Sequence, residues 1–297
     1  MGAPRPAHLL LSACVLVFSA SAAPLGAATL DDAQRLLYTG LFVEAAAAAH
    51  ELTEADPGNL AAWEVRTSAV HFQLRRLVAD VKDKKAAFAK CADCPKVLAT
   101  FLEDVNRGRA AARSRVDTNP MDDEARFFLG KMDLSYLWLQ LATLDRKTGW
   151  KEYWEAKTIL EGIIEKDPMH VRARVARAWM DYIVGTRVPW GTRWMMGGGN
   201  RGRALKMVRE AVQTPADHYT QAEARFALQE MLMREGRRDE AVDVAKELLA
   251  WFPDNKDLRK FVETRGPHHE EPDGTNNGLG TGGADDRSDG HAARAGD

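Results

Sequence analysis

Two short stretches of the sequence carry residue types at spacings that could support chemistry. Gly197, Gly199 and Gly202 lie in the G-x-G-x-x-G register of a dinucleotide-binding loop. Cys91 and Cys94 form a C-x-x-C pair in "CADC". The glycines could bind the pyrophosphate of a nucleotide, whereas the cysteines could form a disulfide, exchange thiols or bind a metal. The elements around each motif decide between these chemistries.

The residues around the glycines argue against a nucleotide site. A dinucleotide-binding loop follows a buried strand, which aims the next helix at the pyrophosphate. The segment before Gly197, "RVPWGTRWMM", contains Pro189 and Gly191, which do not suit a central strand. The glycines therefore predict a turn between two helices. No cofactor is expected.

The Cys91-Cys94 pair has three interpretations. In an exported protein, a lone pair is most simply a local disulfide. A thioredoxin-like redox site needs a preceding strand, and the segment before Cys91 does not read as one. Metal binding needs more ligands than the pair supplies, because two thiolates are half of a zinc site. We expect the disulfide, with reactive thiols and a metal as the alternatives.

The N-terminal residues 1–28 have the pattern of a secretory signal peptide. An apolar run, "LLLSACVLVFSA", is followed by the small-residue segment "SASAAPLGAA". We expect cleavage between Ala23 and Thr29 and export to the periplasm or cell envelope. A retained signal anchor is one alternative, and a lipid on Cys14, in the lipobox-like "LSAC", is another. Membrane association is expected only through lipidation or through envelope partners.

Small residues recur at fixed distances before three prolines. Positions twelve and eight residues before Pro57, Pro168 and Pro253 are Ala45 and Ala49, Ala156 and Leu160, and Ala241 and Ala245. Weaker copies place Gly108 and Ala112 before Pro120, and Ala204 and Val208 before Ala216. Small residues let two helices approach closely and a proline ends the second helix, so the pattern predicts five second helices.

The segments before these second helices have helical periodicity and supply the first helices. Residues 29–265 therefore predict an all-α repeat domain. Gly236 is expected to break the last helix pair before a second helix opens at Glu240 and Ala241. Residues 266–297 are rich in Gly, Asp and Asn and almost free of apolar residues, which predicts a disordered tail.

An insertion precedes the glycine-rich turn of the fourth pair; we name residues 185–196 the Trp-Met insertion. Its side chains include Arg187, Trp190, Arg193, Trp194, Met195 and Met196. One interpretation is that the Trp and Met residues cover the end of a neighbouring helix pair. The others are a partner-binding loop, with Trp190, Arg193 and Trp194 as contacts, and contact with a membrane surface.

The helix before this insertion supplies further candidate partner-binding residues, namely Arg172, Trp179 and Tyr182. Arginines on such a helix form either a solvated face or part of a concave groove that binds acidic groups. We predict that Glu64, Lys131, Arg172, Trp179 and Glu230 line this groove.

Composition excludes some functions. The chain has 297 residues and a formal net charge of −2, which does not suggest nucleic acid as the main partner. It lacks G-x-S-x-G, and "HELTE" at His50 lacks the second histidine of a zinc protease. We predict no catalytic residues and no metal site, and hence a protein that is not an enzyme.

The offsets before the prolines, the Leu129-Gly130 pair and the segment "EARFALQEMLMREGRRDEAVDVAKELLAWFPDN" resemble the exported bacterial tetratricopeptide repeat (TPR) proteins. The resemblance implies a right-handed solenoid of about five antiparallel helix pairs, with lengthened first helices and an insertion in the fourth pair. It further implies a scaffold that binds a protein or peptide in its concave groove. The alternative is an accessory repeat subunit of a TRAP-type solute transporter.

Overall fold

The computed structural model describes residues 28–78, 83–146, 148–188 and 190–265. Nearly all of the predicted signal peptide, including Cys14, and the predicted tail therefore lie outside the described residues. Within them the regular structure is entirely helical, which confirms the all-α prediction. The helices are α1 (Leu30–Thr39), α2 (Phe42–Ala55), α3 (Leu60–Val78), α4 (Lys84–Lys90), α5 (Cys94–Thr118), α6 (Asp123–Trp138), α7 (Trp150–Lys166), α8 (Val171–Arg187), α9 (Arg201–Gln213), α10 (His218–Arg234), α11 (Arg238–Trp251) and α12 (Lys256–Arg265).

The helices pack as five successive pairs. The pairs are α1 with α2, α3 with α5, α6 with α7, α8 with α9, and α10 with α11; α12 packs on α11. The first helices α1, α3, α6, α8 and α10 also contact one another in succession. The prediction of lengthened first helices is only partly right, because the longest helix within the described ranges is α5, a second helix of 25 residues. Further extra length of the second pair lies in α4.

The predicted small residues lie where two helices approach closely. Ala45, Ala156, Ala204 and Ala241 are fully buried. Gly108 of α5 shows why size matters, because a Cβ there would lie 3.1 Å from the Cβ atom of Trp63 on α3, the first helix of the same pair. The repeated offset in the sequence is therefore a packing constraint that recurs in each pair.

Side-chain caps and a left-handed glycine set where the helices begin and end. The side chains of Asp122, Asn200 and Asp217 accept hydrogen bonds from backbone N–H groups in the first turns of α6, α9 and α10. Gly236, between α10 and α11, has φ of 75°, a conformation that favours glycine. It breaks the last pair as predicted.

The first and last helix pairs contact each other. The Tyr38 ring of α1 lies 5.6 Å from the rings of Phe226 on α10 and Phe252. The Asn255 side-chain amide donates a hydrogen bond of 2.7 Å to the Tyr38 carbonyl. Arg76 of α3 pairs with Asp257 of α12. The predicted concave groove is therefore a cavity whose two ends are joined by aromatic packing and polar contacts and which remains open to solvent.

Asn255→Ala tests the contribution of this closure. Asn255 is 5% exposed, and its side-chain oxygen also caps α12 by accepting from the Leu258 N–H. Loss of the cap costs about 1 kcal/mol, and an unpaired Tyr38 carbonyl costs about 1–3 kcal/mol more. We therefore expect a larger loss of unfolding free energy in urea than for Asn200→Ala, which removes only the cap of α9. Equal losses in the two variants would mean that the bond to Tyr38 contributes nothing.

Candidate functional site

Four charged side chains meet inside the cavity and form a ring, which we call the inner charge ring. Glu64 of α3, Lys131 of α6, Arg172 of α8 and Glu223 of α10 each come from a different first helix. Arg172 donates hydrogen bonds of 2.7 Å to both Glu64 and Glu223. Lys131 lies 3.3 Å from Glu64 and also pairs with Glu223. Each charge thus contacts both charges of opposite sign.

The ring is largely removed from water, since its four side chains are between 11% and 19% exposed. Burial by itself would raise the pKa of the Glu223 carboxyl. The charges and hydrogen bonds of Lys131 and Arg172 outweigh this effect and lower the pKa to about 2. The Glu223 carboxylate therefore stays charged at neutral pH and stabilises the folded state.

The cavity has a volume of about 780 Å³. Its lining includes all five residues that the sequence analysis assigned to the groove, namely Glu64, Lys131, Arg172, Trp179 and Glu230. Glu230 of α10 adds a second link to α3, because its carboxylate accepts hydrogen bonds of 3.1 and 2.9 Å from Arg75 of that helix. Glu230 also pairs with Arg234, one turn further along α10.

A buried histidine near this cavity joins α3 to the residues that follow α6. The His71 Nε2 atom lies 2.9 Å from the hydroxyl oxygen of Thr143, in a π-helical turn that follows α6. Burial lowers the pKa of His71 to about 3, with a contribution from the charge of Arg75. The imidazole is therefore neutral near pH 7, and its hydrogen bond holds the π-helical turn against α3.

The six predicted partner-binding residues divide among three places. Arg172 and Trp179 line the cavity, where Arg172 is engaged by two carboxylates and Trp179 lies 4.6 Å from the Trp138 ring. Tyr182 is 3% exposed and donates a hydrogen bond to Glu235. Without rearrangement, a partner could not contact Tyr182. The other three belong to the Trp-Met insertion.

The Trp-Met insertion presents two tryptophans to solvent. It forms a short 3₁₀ helix, Trp190–Met196, in which Trp190 is 85% and Trp194 is 76% exposed. These rings do not cover a neighbouring helix pair, so the covering interpretation is wrong for them. Met196 behaves differently, because it is partly buried and packs against the core.

Hydrogen bonds hold this exposed segment against the helices. The Tyr153 hydroxyl of α7 donates to the Met196 carbonyl at 2.8 Å. Arg193 donates through Nε to the Val188 carbonyl at 2.9 Å. Together with Trp190 and Trp194, Arg193 and Arg201 line a surface depression of about 670 Å³.

The glycine-rich turn has the role that its context predicts. Gly197 and Gly198 have φ of 77° and 74°, and they reverse the chain before α9. Gly199 lies against α8, where a Cβ would be 2.7 Å from the backbone carbonyl carbon of Val184. The spacing therefore reflects turn geometry and close packing, and the element before the glycines is the 3₁₀ helix and not a strand.

The two cysteines flank the short connection between α4 and α5. Their Sγ atoms lie 2.07 Å apart and their Cα atoms 5.4 Å apart, as in a disulfide. The element before Cys91 is α4, whereas a thioredoxin-like site would need a strand there. Within the described residues, no group of three or more His, Cys, Asp or Glu side chains is placed to hold a metal ion. No helix among the described residues is sufficiently long and apolar to cross a bilayer.

The described residues define an all-helical repeat protein. No protein-family model matches the chain, and no significant match exists among curated proteins. Among the solved structures that match, one is the crystal structure of a thermophilic TPR protein from Thermus thermophilus. It is 18% identical to this chain, with a TM-score of 0.45, and the match covers 80% of this chain and 98% of that one.

Sequence reasoning missed Glu223, the fourth member of the inner charge ring. A signal for it was present, because Glu223 and Glu230 are seven residues apart and so lie on one face of α10. What the sequence could not show is that this face meets α3, α6 and α8.

Glu223→Gln tests the inner charge ring. The variant keeps the side-chain shape but leaves the ring with excess positive charge, so we expect a loss of about 3 kcal/mol in unfolding free energy. Because the pKa of Glu223 is lowered in the folded state, the wild type should lose this advantage as the pH falls from about 4.5 towards 2. Urea unfolding at pH 7 and at pH 3 measures both effects.

The double variant Lys131→Met/Glu223→Gln is the matched control. It restores neutrality, so its cost should be smaller than the sum of the two single costs by about 1–3 kcal/mol. Strict additivity would show that the ring does not act as a unit.

Proposed function

We propose that this protein is a non-catalytic protein-interaction scaffold of the periplasm or cell envelope. We further propose that its partner docks on the Trp-Met insertion. The observation that carries this proposal is the exposure of Trp190 and Trp194 on a segment held by hydrogen bonds. Tryptophan and arginine are enriched among the side chains that dominate binding energy at interfaces.

The concave face is the less favourable docking surface. A peptide lying there would have to break the contacts of Tyr38 with Phe226 and Asn255. It would also compete with the inner charge ring, where breaking one pair leaves an uncompensated buried charge. The Trp-Met insertion offers exposed apolar area without either cost.

The chemistry around the tryptophans indicates the kind of partner. Arg193 and Arg201 line the same depression as Trp190 and Trp194, and Arg201 is 54% exposed at its side chain. The complementary surface is an apolar side chain flanked by carboxylates on a protein partner. Arg201 lies 3.3 Å from Glu235 in the unbound protein, so a partner carboxylate would share this guanidinium.

The export part of this proposal is supported by the signal-like residues 1–28 and by the C-x-x-C pair. A cysteine pair outside the reducing cytosol is most simply a disulfide. The resemblance to exported TPR proteins agrees with this location.

Photo-crosslinking from position 195 in the native host tests the docking surface. We expect the crosslink to identify one protein, and the same crosslink to form when the two purified proteins are mixed. The affinity between them should fall at least about tenfold in Trp190→Ser/Trp194→Ser, since such anchors contribute roughly 2 kcal/mol or more. Met121→Ser/Met169→Ser is the matched control, because it removes two other exposed apolar side chains from turns. Equal affinity for both double variants, or a crosslink to lipid alone, would overturn the proposal.

The intact mass of the protein from the native envelope tests export. We expect a chain beginning between Ala23 and Thr29 that is two hydrogens lighter than the reduced sequence, because disulfide formation removes one hydrogen from each thiol. A chain beginning at Cys14 with acyl groups would replace soluble export with a lipid anchor. Full-length protein with two free thiols would contradict the proposed compartment.

A further inference from the structure

The cavity is a second candidate binding site, and it is separate from the depression around Trp190 and Trp194. Among the described residues, the two share no lining side chain. The cavity volume of about 780 Å³ lies within the range of roughly 300–1,000 Å³ that is typical of small-molecule sites. Arg187 and Asp257 line it while their side chains are 44% and 68% exposed, so a ligand can reach it from solvent.

The charged side chains of the wall are already engaged with one another. The inner charge ring is paired within itself. Arg76 pairs with Asp257 across the ends of the stack. The Glu230 carboxylate pairs with both Arg75 and Arg234. These contacts account for most of the charged groups that face the cavity.

The other two charged side chains of the described lining also have partners. Lys84 donates a hydrogen bond to the Ala142 carbonyl, and Arg187 Nη1 lies 3.9 Å from Asp145 Oδ1. A charged ligand would have to displace one of these contacts or enter without a counter-charge, and each course costs free energy in a site with little water. The wall therefore favours an uncharged ligand.

Aromatic rings supply much of the apolar wall. They come from helices throughout the stack and include Tyr38, Phe42, Phe72, Trp138, Trp179 and Phe226. Each of these residues is half-buried, so part of its surface stays open to the cavity or to solvent. A ligand that covers this surface gains free energy because water leaves it.

The rings of the wall are arranged in pairs. Phe42 and Phe72 stack with ring centroids 5.0 Å apart, and Trp138 and Trp179 meet edge to face at 4.6 Å. Aromatic rings attract further rings in these geometries beyond the effect of buried area alone. An aromatic ligand would therefore gain more from this wall than an aliphatic one of equal size.

Uncharged polar groups complete the wall. The Ser68 hydroxyl of α3 and the side-chain amides of Gln34 on α1 and Gln229 on α10 line the cavity. Hydroxyl and amide groups both donate and accept hydrogen bonds. They could orient a hydroxyl group of a ligand without any change in the ion pairs.

We propose that the cavity binds an uncharged aromatic molecule that carries one hydrogen-bonding group. The aromatic body packs against the ring pairs, and the polar group contacts the hydroxyl or amide side chains. An acid or an amine of the same shape is disfavoured because the charges of the wall already have partners. This inference does not rest on the docking surface proposed above.

Fluorescence titration of the purified protein with three pyrene derivatives tests the proposal. The probes are 1-pyrenemethanol, 1-pyrenecarboxylate and 1-pyrenemethylammonium, which share one aromatic body and differ in charge. We expect saturable one-to-one binding of the alcohol, together with quenching of tryptophan emission. The acid and the amine should bind at least about tenfold more weakly, because each carries a charge into a site whose charges are paired.

Two variants that fill the cavity locate the site. Ser68→Trp and Gln229→Trp place a large ring in the space from α3 and from α10, and each should weaken binding of the alcohol at least about tenfold. Ser114→Trp is the matched control, because Ser114 is exposed on α5 and does not line the cavity. It should bind as the wild type does. Thermal melts establish which variants are folded, and either folded filling variant is sufficient for the test.

Three outcomes would overturn the proposal. These are no saturable binding of the alcohol, a charged probe that binds as tightly as the alcohol, and wild-type affinity in a folded filling variant. Loss of alcohol binding in Trp190→Ser/Trp194→Ser would also overturn it, because the probe would then lie at the docking surface. Loss of alcohol binding in a folded filling variant with crosslinking from position 195 intact would support a separate site.

Discussion

The inner charge ring constrains the rest of the structure, because it joins four first helices that come from four different pairs. Charges removed from water are stable only when each has close partners of opposite sign. Glu64 of α3 lies 2.7 Å from Arg172 of α8, although a first helix of another pair, α6, lies between them in chain order. That contact forms only if the stack of pairs curves tightly. The four buried charges therefore have close partners only in a tightly curved solenoid.

Tight curvature separates the molecule into an inner and an outer surface. In an extended solenoid each repeat contacts only its neighbours, and terminal repeats need special outer faces. Here the terminal pairs serve partly as caps for each other, with the Tyr38 ring near those of Phe226 and Phe252. The inner surface has its ring charges paired and encloses a cavity, whereas the Trp-Met insertion projects outward.

The sequence predicts what is local and repeated. Second helices are predicted by an alanine at one fixed distance before a proline, as at Ala45, Ala156 and Ala241. The signal recurs because two helices must approach closely in every pair. The glycine-rich turn is also predicted from local sequence, because Pro189 and Gly191, just before it, do not suit the strand that a nucleotide site would need. The contacts that join the two ends of the stack have no repeated signal in the sequence. Asn255 and Tyr38 are ordinary residues in their own helices, and their meeting depends on the summed rotation of all the pairs between them. For the same reason the sequence predicts a concave groove and five residues that line it, but not the contacts that join its two ends.

Closure also joins residues that are far apart in the order of synthesis. Arg76 and Asp257 are separated by 181 positions, and Tyr38 and Asn255 by 217. A growing chain can assemble each pair as it emerges, since contacts within a pair are local, but the contacts that join the two ends of the stack form only once α10 and the residues after it have been made. Until then the Tyr38 side of α1 and the inner faces of the first helices lie open to water and to other chains. The C-terminal helices thus close the stack of pairs, and the cavity forms as the final step of folding.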